Sequence, residues 1–149
     1  MCSKPYDAVA RIFVEESIQG LTVYKALKLS NAKVGQWIAI SGAGGGLGHL
    51  AIQYATAMGL RVLAIDTGDQ KKALCLKLGA EKWVDFKDSS NLVEDVQAAC
   101  DGKGPHAAVV AAGHVRVSST VDVIRGINLP NSHCPSTKLS CTFAVQGLL

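Results

Sequence analysis

A glycine-rich loop that joins an apolar run to a helical pattern restricts the fold of this chain more than any other feature. The apolar run Trp37–Ser41 suits a strand that is covered on both faces. Glycines then dominate residues 42–48, and apolar residues recur at helical spacing over residues 47–58. A strand, a glycine turn and a helix in this order predict a parallel α/β structure. They also predict a turn where backbone N–H groups face an anion.

The same rhythm of strand and helix continues along residues 33–125. Strands are predicted at residues 37–41, 61–65, 83–86 and 107–112, with helices at 47–58, 69–78 and 92–100 between them and a further helix at 22–29. This alternation predicts an α/β fold with a doubly wound, Rossmann-like parallel sheet of strand order 3-2-1-4. Asp69 and the pair Asn91 and Glu94 are predicted helix caps. Residues 139–145 alternate apolar and small polar side chains, which predicts a fifth strand from the tail.

Composition narrows the class of protein. Of the 149 residues, 48% are hydrophobic and 18% are charged, which argues against disorder. A net charge of +3 is too small to predict nucleic acid or an anionic membrane as a partner. Residues 37–60 carry no charged side chain, but their glycines favour a buried strand, loop and helix over a membrane span. The five cysteines are scattered and no signal peptide is recognised, so we expect the chain in the reducing cytoplasm.

The glycine loop and an acid after the second strand form the candidate cofactor site. Positive backbone φ and close approach of a pyrophosphate both favour residues without a Cβ, and the candidates are Gly42, Gly44, Gly45, Gly46 and Gly48. Asp66 ends the second strand, 18 residues after the last of these glycines. A carboxylate there accepts hydrogen bonds from both hydroxyls of an adenosine ribose. It also repels a 2′-phosphate, which favours NAD over NADP.

Other interpretations of these residues remain open. Residues 42–48 can form a tight turn without a ligand, and Asp66 can cap a helix. Lys71 lies five residues after Asp66, where it either neutralises part of the site, reaches the ribose, or is a solvated helix charge. His49 lies in the first turn of the predicted helix, and a solvated position is favoured there over a phosphate contact.

A longer pattern is carried by five stretches, which are residues 20–27 (GLTVYKAL), 34–42 (VGQWIAISG), 45–48 (GGLG), 51–59 (AIQYATAMG) and 61–66 (RVLAID). Through them, residues 20–113 resemble the cofactor domain of zinc-dependent alcohol dehydrogenases of the medium-chain type, especially their microbial tetrameric branch. The resemblance implies NAD contacts at Gly45, Gly46, Leu47, Asp66 and Lys71. It also implies that Thr22 lies beside the nicotinamide and that the adenine lies beside Phe86, Ala112 and His114.

The catalytic parts of that family are not recognised in this chain. The family holds a catalytic zinc with two cysteines and the histidine of a Gly-His-Glu motif, but this motif is absent here and Ile18 stands where the second cysteine belongs. His133, Cys134 and Cys141 form the one local cluster, and their spacing fits no known ligand pattern. We therefore expect no metal site and no catalytic residue. The expected divisions are a remnant of a catalytic domain at 1–19, the dinucleotide-binding domain at 20–125 and a divergent tail at 126–149.

Three functions fit these observations. The first is the NAD(H)-binding domain of an alcohol dehydrogenase-like oxidoreductase, which in the family transfers hydride between an alcohol and NAD and which alone is not catalytic. The second is a non-catalytic NAD-binding module, or a partner of a full-length homologous subunit. The third is a truncated remnant without a biochemical function. For the first, we expect no alcohol oxidation by the isolated chain. Affinity for NAD(H) tests the second, and pairing of residues 139–145 beside the fourth strand would weaken the third.

Overall fold

The computed structural model describes residues 19–111, which contain four helices and four strands. In chain order these are α1 (residues 19–29), β1 (Trp37–Ser41), α2 (Gly46–Ala57), β2 (Arg61–Asp66), α3 (Asp69–Lys77), β3 (Lys82–Asp85), α4 (Leu92–Ala99) and β4 (Ala107–Val110). Residues 37–60 therefore form a strand, the glycine loop and a helix, as expected. No helix within the described range is long and apolar enough to cross a membrane.

The strands form a four-stranded parallel sheet in the order β3-β2-β1-β4, which confirms the predicted topology. Strand β1 lies in the middle and pairs with β2 on one side and with β4 on the other. The carboxyl ends of all strands therefore meet at one edge of the sheet, where the loops after β1, β2 and β3 lie together. The fifth strand predicted at residues 139–145 lies outside the described residues.

The two faces of the sheet bury different sets of side chains. Along β1, Ile38 and Ile40 pack on the face covered by α1, α2 and α3, while Trp37 and Ala39 pack on the face covered by α4. This alternation follows from the two-residue period of a strand. The connections through α2 and α3 move the chain in one direction across the sheet, and the connection through α4 returns it. With right-handed crossovers, the returning helix must lie on the opposite face.

The helix caps differ from the sequence-based expectation. Asp69 is the first residue of α3 and not its cap, because Gly68 takes the cap position with a φ of +102°. This left-handed backbone is accessible to glycine and strained for other residues. Asn91 does precede α4, but its side chain makes no capping hydrogen bond, so the predicted capping box is not formed. Glu94 instead lies in the first turn of α4, where a negative charge stabilises the helix dipole.

A polar cluster closes the amino-terminal edge of the sheet, opposite the glycine loop. Asp101 accepts hydrogen bonds from Trp37 Nε1 at 2.8 Å and from Arg61 Nη1 at 2.7 Å. Arg61 also contacts Glu81 at 3.0 Å, and its guanidinium carbon lies 3.9 Å from the centre of a Trp37 ring. The cluster ties together the first residue of β1, the first residue of β2 and the turn after α4.

Candidate functional site

The glycine loop begins as a tight turn at the carboxyl end of β1. Gly42 has a φ of +74°, and its N–H donates to the carbonyl of Ile65 on the neighbouring strand at 2.9 Å. The N–H of Gly45 then donates to the carbonyl of Gly42 at 3.0 Å, which closes the turn. The loop is therefore anchored to β2 before it enters α2.

Gly48 is required by the packing of the loop itself. A Cβ at this position would lie 2.1 Å from the carbonyl oxygen of Gly42 and 2.6 Å from the Cα of Ala43, both of which are backbone atoms. Because backbone atoms cannot turn away as the end of a side chain can, only glycine fits. The first turn of α2 therefore lies directly against the end of β1.

Gly46 has no such requirement within the described structure. The nearest atom to a Cβ built on Gly46 is Gln19 Oε1 at 3.6 Å, which is an ordinary contact, and its backbone φ is not positive. Gly46 is the first residue of α2, where backbone N–H groups have no acceptor within the helix. No acidic residue lies in this first turn and Gly45 supplies no capping side chain. No contact within the described residues therefore requires a glycine at position 46.

Asp66 joins the end of β2 to the glycine loop. Its Oδ2 accepts the N–H of Gly44 at 2.9 Å, and its Oδ1 accepts the N–H of Thr67 at 2.8 Å and contacts Lys71 Nζ at 3.0 Å. The residue is only 5% exposed. A carboxylate offers about four acceptor positions, and the protein already uses three of them.

Lys71 covers the side of the site that faces solvent. Its methylene groups lie 2.7 Å from where a Cβ of Gly44 would be, so its stem crosses the loop at that residue. The side chain is 47% exposed, which leaves its amine free to move away from Asp66 when another group competes for the carboxylate. The structure therefore brings Gly44, Asp66 and Lys71 into one cluster, and of the positions left open for Lys71 it shows an ion pair with Asp66.

The remaining candidate residues lie around this cluster or outside the described range. Leu47 is in the first turn of α2, and Phe86 follows β3 with its N–H 3.3 Å from the carbonyl of Asp66. Thr22 is a half-buried residue of α1, whose start lies against α2 because a Cβ on Gly20 would meet the Tyr54 hydroxyl at 2.9 Å. Ala112 and His114 lie outside the described residues.

Two further side chains contact the loops of this edge. The His49 ring places Nδ1 3.0 Å from the carbonyl oxygen of Gly45, so the imidazole folds back onto the glycine loop. Asp85 was predicted only as part of a strand, yet it accepts the N–H of Gly68 at 3.1 Å and that of Lys87 at 2.9 Å. Its position in the sequence could have indicated this contact, because Asp85 is the last residue of β3 as Asp66 is the last residue of β2.

No metal centre accompanies these loops in the part of the chain that the structure describes. Residues 19–111 contain no group of three or more histidine, cysteine or acidic side chains that could hold a metal ion. Cys75 and Cys100 are buried free thiols. His133, Cys134 and Cys141 lie outside the described residues.

Comparison with protein families gives a match that begins at the first residue of α2. The model of a family described as zinc-binding dehydrogenase matches residues 46–126. That match includes Leu47, Gly48 and Asp66, and it covers more than half of the chain.

Curated relatives share high identity over part of their length. Alcohol dehydrogenase 1 of Emericella nidulans is 53% identical over 109 residues, which are 72% of this chain and 30% of that protein. Alcohol dehydrogenase 1 of Neurospora crassa is 56% identical over 94 residues, which are 62% of this chain and 27% of that protein. The chain therefore spans about 30% of the length of the curated relatives that it matches.

Solved structures share the fold as well. The Escherichia coli quinone oxidoreductase complexed with NADPH superimposes with a TM-score of 0.64 at 27% identity, over 70% of this chain and 32% of that one. The parallel sheet with its alternating helices is thus the Rossmann-like arrangement seen in such oxidoreductases.

Proposed function

Since this chain belongs to the zinc-binding dehydrogenase family, we propose that its glycine loop and Asp66 bind NAD(H) as the dinucleotide-binding domain of an alcohol dehydrogenase-like oxidoreductase. In this proposal, the first turn of α2 binds the diphosphate and Asp66 binds the adenosine ribose. Phe86, Ala112 and His114 lie on the adenine side of the proposed site, and Thr22 lies on its nicotinamide side. When bound, the nicotinamide ring accepts or donates the hydride. The chain contributes binding and orientation.

The hydrogen bond between Gly44 N and Asp66 Oδ2 is the observation that carries this proposal. It fixes the ribose-binding carboxylate relative to the loop that would hold the diphosphate. The distance between these two parts is therefore set before any ligand arrives, and a preformed site loses less entropy on binding. A tight turn without a ligand would account for Gly42 and Gly48, but it leaves the open space at Gly46 unexplained.

The charge at Asp66 supports NAD over NADP. The carboxylate is buried, so a 2′-phosphate placed beside it would meet a negative charge that water screens poorly. Lys71 offsets part of that charge in the absence of ligand, through its contact at 3.0 Å. Since only about one acceptor position of Asp66 is left, we expect the Lys71 amine to leave Oδ1 when both ribose hydroxyls bind.

Zinc chemistry is not assigned to the described residues, because they contain no ligand set for it. A full-length homologous subunit is the proposed partner that would supply the substrate and metal sites. Residues 20–125 are the proposed dinucleotide-binding domain. The two buried thiols without a disulfide support a reducing compartment, and we propose the cytoplasm.

An NADH fluorescence titration of the purified chain tests this function. We expect saturable binding tighter than millimolar, and weaker binding of NADPH. Asp66→Asn should weaken NADH binding by about tenfold or more, because its amide cannot accept from three N–H donors as the carboxylate does. Asp69→Asn is the matched control, since Asp69 is an exposed acid three residues later.

Thermal unfolding of each variant separates binding from folding. A cooperatively folded chain that binds NADH no better than millimolar would contradict the proposal. Equal losses in Asp66→Asn and Asp69→Asn would also contradict it, because a general charge effect would then explain the result.

A further inference from the structure

Two carboxylates end neighbouring strands in the same register. Asp66 on β2 pairs with Asp85 on β3, so the two residues are direct neighbours across strands that lie about 4.8 Å apart. Asp66 faces the glycine loop through Gly44. The proposed function uses Asp66 and leaves Asp85 without a role.

Asp85 holds the loop that follows Asp66. Its Oδ2 accepts the N–H of Gly68 at 3.1 Å, and its Oδ1 accepts the N–H of Lys87 at 2.9 Å. The hydrogen bond from Lys87, followed by that from Gly68, holds the pKa of Asp85 below its usual range, so the group is charged at neutral pH.

The segment formed by Thr67 and Gly68 is held by these two acids together. Thr67 donates its N–H to Asp66 at 2.8 Å, and Gly68 donates its N–H to Asp85 at 3.1 Å. Gly68 has a φ of +102°, and no atom lies within 4 Å of where its Cβ would be. The carbonyl of Gly68 accepts the N–H of Lys72 within α3 at 3.0 Å, and the hydrogen bond to Asp85 is the one that holds the N–H of Gly68. Gly68 is also the N-cap of α3, the helix that carries Lys71.

We propose that Asp85 is a second specificity-determining residue of the dinucleotide site. It positions the segment of Thr67 and Gly68 beside the adenosine ribose, and it adds negative charge where a 2′-phosphate would lie. This inference rests on the proposed NAD(H) function and extends it to the neighbouring strand. Discrimination between NAD and NADP then depends on an in-register pair of acids, in which Asp66 binds the ribose and Asp85 orients the loop.

Titration of Asp85→Asn with NADH and NADPH tests this role. Asparagine keeps the size of the side chain and loses the charge. We expect NADH affinity to fall about tenfold, because the N–H of Gly68 loses its charge-assisted hydrogen bond and the segment beside the ribose is held less firmly. NADPH affinity should fall less, because repulsion of its 2′-phosphate is relieved, so the preference for NADH should drop by roughly fivefold or more.

Two controls make the result specific. Asp88→Asn removes an exposed acid that lies three residues after Asp85, and it should leave the preference for NADH over NADPH unchanged. Reduced nicotinamide mononucleotide lacks the adenosine, so its affinity should be the same in the wild-type chain and in Asp85→Asn. Both titrations are carried out on the full chain, with thermal unfolding as the check on folding.

The outcomes separate the two proposals. If the wild-type chain binds neither dinucleotide, the NAD(H) function is wrong and the role of Asp85 is wrong with it. If the wild-type chain binds NADH and Asp85→Asn keeps the same preference, the role of Asp85 alone is overturned. A loss of affinity for both dinucleotides by the same factor would likewise assign Asp85 a structural role only.

Discussion

The N–H of Gly44 donates a hydrogen bond of 2.9 Å to the buried carboxylate of Asp66, 22 residues later in the chain. This bond joins the loop after β1 to the end of β2 at the same edge of the sheet. In open α/β sheets, that edge is where ligands bind. The bond also gives the buried carboxylate a partner, without which its charge would cost considerable stability. The proposed site is therefore part of the fold and is expected to exist before the cofactor binds.

Gly46→Ala is expected to separate binding from stability. A Cβ at Gly46 meets nothing closer than 3.6 Å, and the backbone φ is not positive, so the free energy of unfolding should change by less than about 1 kcal/mol. NADH affinity should nevertheless fall by about tenfold, because the methyl group would enter the space proposed for the diphosphate. Paired thermal unfolding and NADH titration measure the two effects. Unchanged affinity would show that no diphosphate approaches Gly46.

Gly48→Ala is expected to lower the free energy of unfolding, in contrast to Gly46→Ala. Its Cβ would lie 2.1 Å from the carbonyl oxygen of Gly42, so α2 must move away from the end of β1. Overpacking of this kind costs about 1–3 kcal/mol and more when backbone must shift. Urea unfolding monitored by circular dichroism gives the change in the free energy of unfolding. Wild-type stability in Gly48→Ala would contradict the close approach of helix and strand.

Asp101→Asn is expected to reduce stability at neutral pH and not in acid. The hydrogen bond from the Trp37 indole and then that from Arg61 hold the pKa of Asp101 below its ordinary value of 3.8. The folded-state pKa is thus lower than the unfolded one. The ionised carboxylate therefore stabilises the fold at pH values above the pKa that Asp101 has in the unfolded chain. This stabilisation is lost as the pH falls through the pKa that Asp101 has in the folded chain. Asp101 has a φ of +59°, which asparagine tolerates well, so the substitution isolates the charge.

Thermal unfolding of wild type and Asp101→Asn, from neutral pH to about pH 2, measures this dependence. The two melting temperatures should converge only when the pH falls below the folded-state pKa of Asp101, which itself lies below 3.8, because the carboxyl group is then protonated in both folded and unfolded wild-type chains. A constant difference across the whole range would show that Asp101 acts through packing. Asp88→Asn, at an exposed acid, serves as the control for net charge.

Cys75 and Cys100 are expected to resist alkylation in the folded chain. Both are buried, and burial raises the pKa of Cys100 to about 12 and that of Cys75 above its ordinary value. Since the thiolate is the reactive form, both burial and pKa slow the reaction. Iodoacetamide treatment followed by peptide mass spectrometry reports each residue separately. Rapid labelling of Cys100 without denaturant would contradict the packing of α4 on the sheet, whereas labelling in urea is expected.

Much of the fold was predictable, because the signals that specify it are local. The apolar run Trp37–Ser41 and the helical spacing of apolar residues after it indicate which side chains are buried. This pattern can be recognised from residues that are close together in the sequence. The helix boundaries were less accurate at Asp69, because the sequence pattern does not reveal that Gly68 adopts a left-handed backbone at the cap. In the candidate site, glycine sterics and the strand end indicated Gly48 and Asp66 without any coordinates.

Side-chain periodicity and backbone sterics, which act within a few residues, predict the order of strands and helices, the position of the glycine turn and an acid at the end of β2. They do not predict which distant groups meet in the folded chain. Examples are Trp37 with Asp101, which lie 64 positions apart, and Gly68 with Asp85. Such contacts depend on strand register and on the direction of each crossover, and both are set when the whole sheet packs. The physical reason is that a hydrogen bond depends on distances of a few tenths of an ångström, which the sequence pattern does not carry.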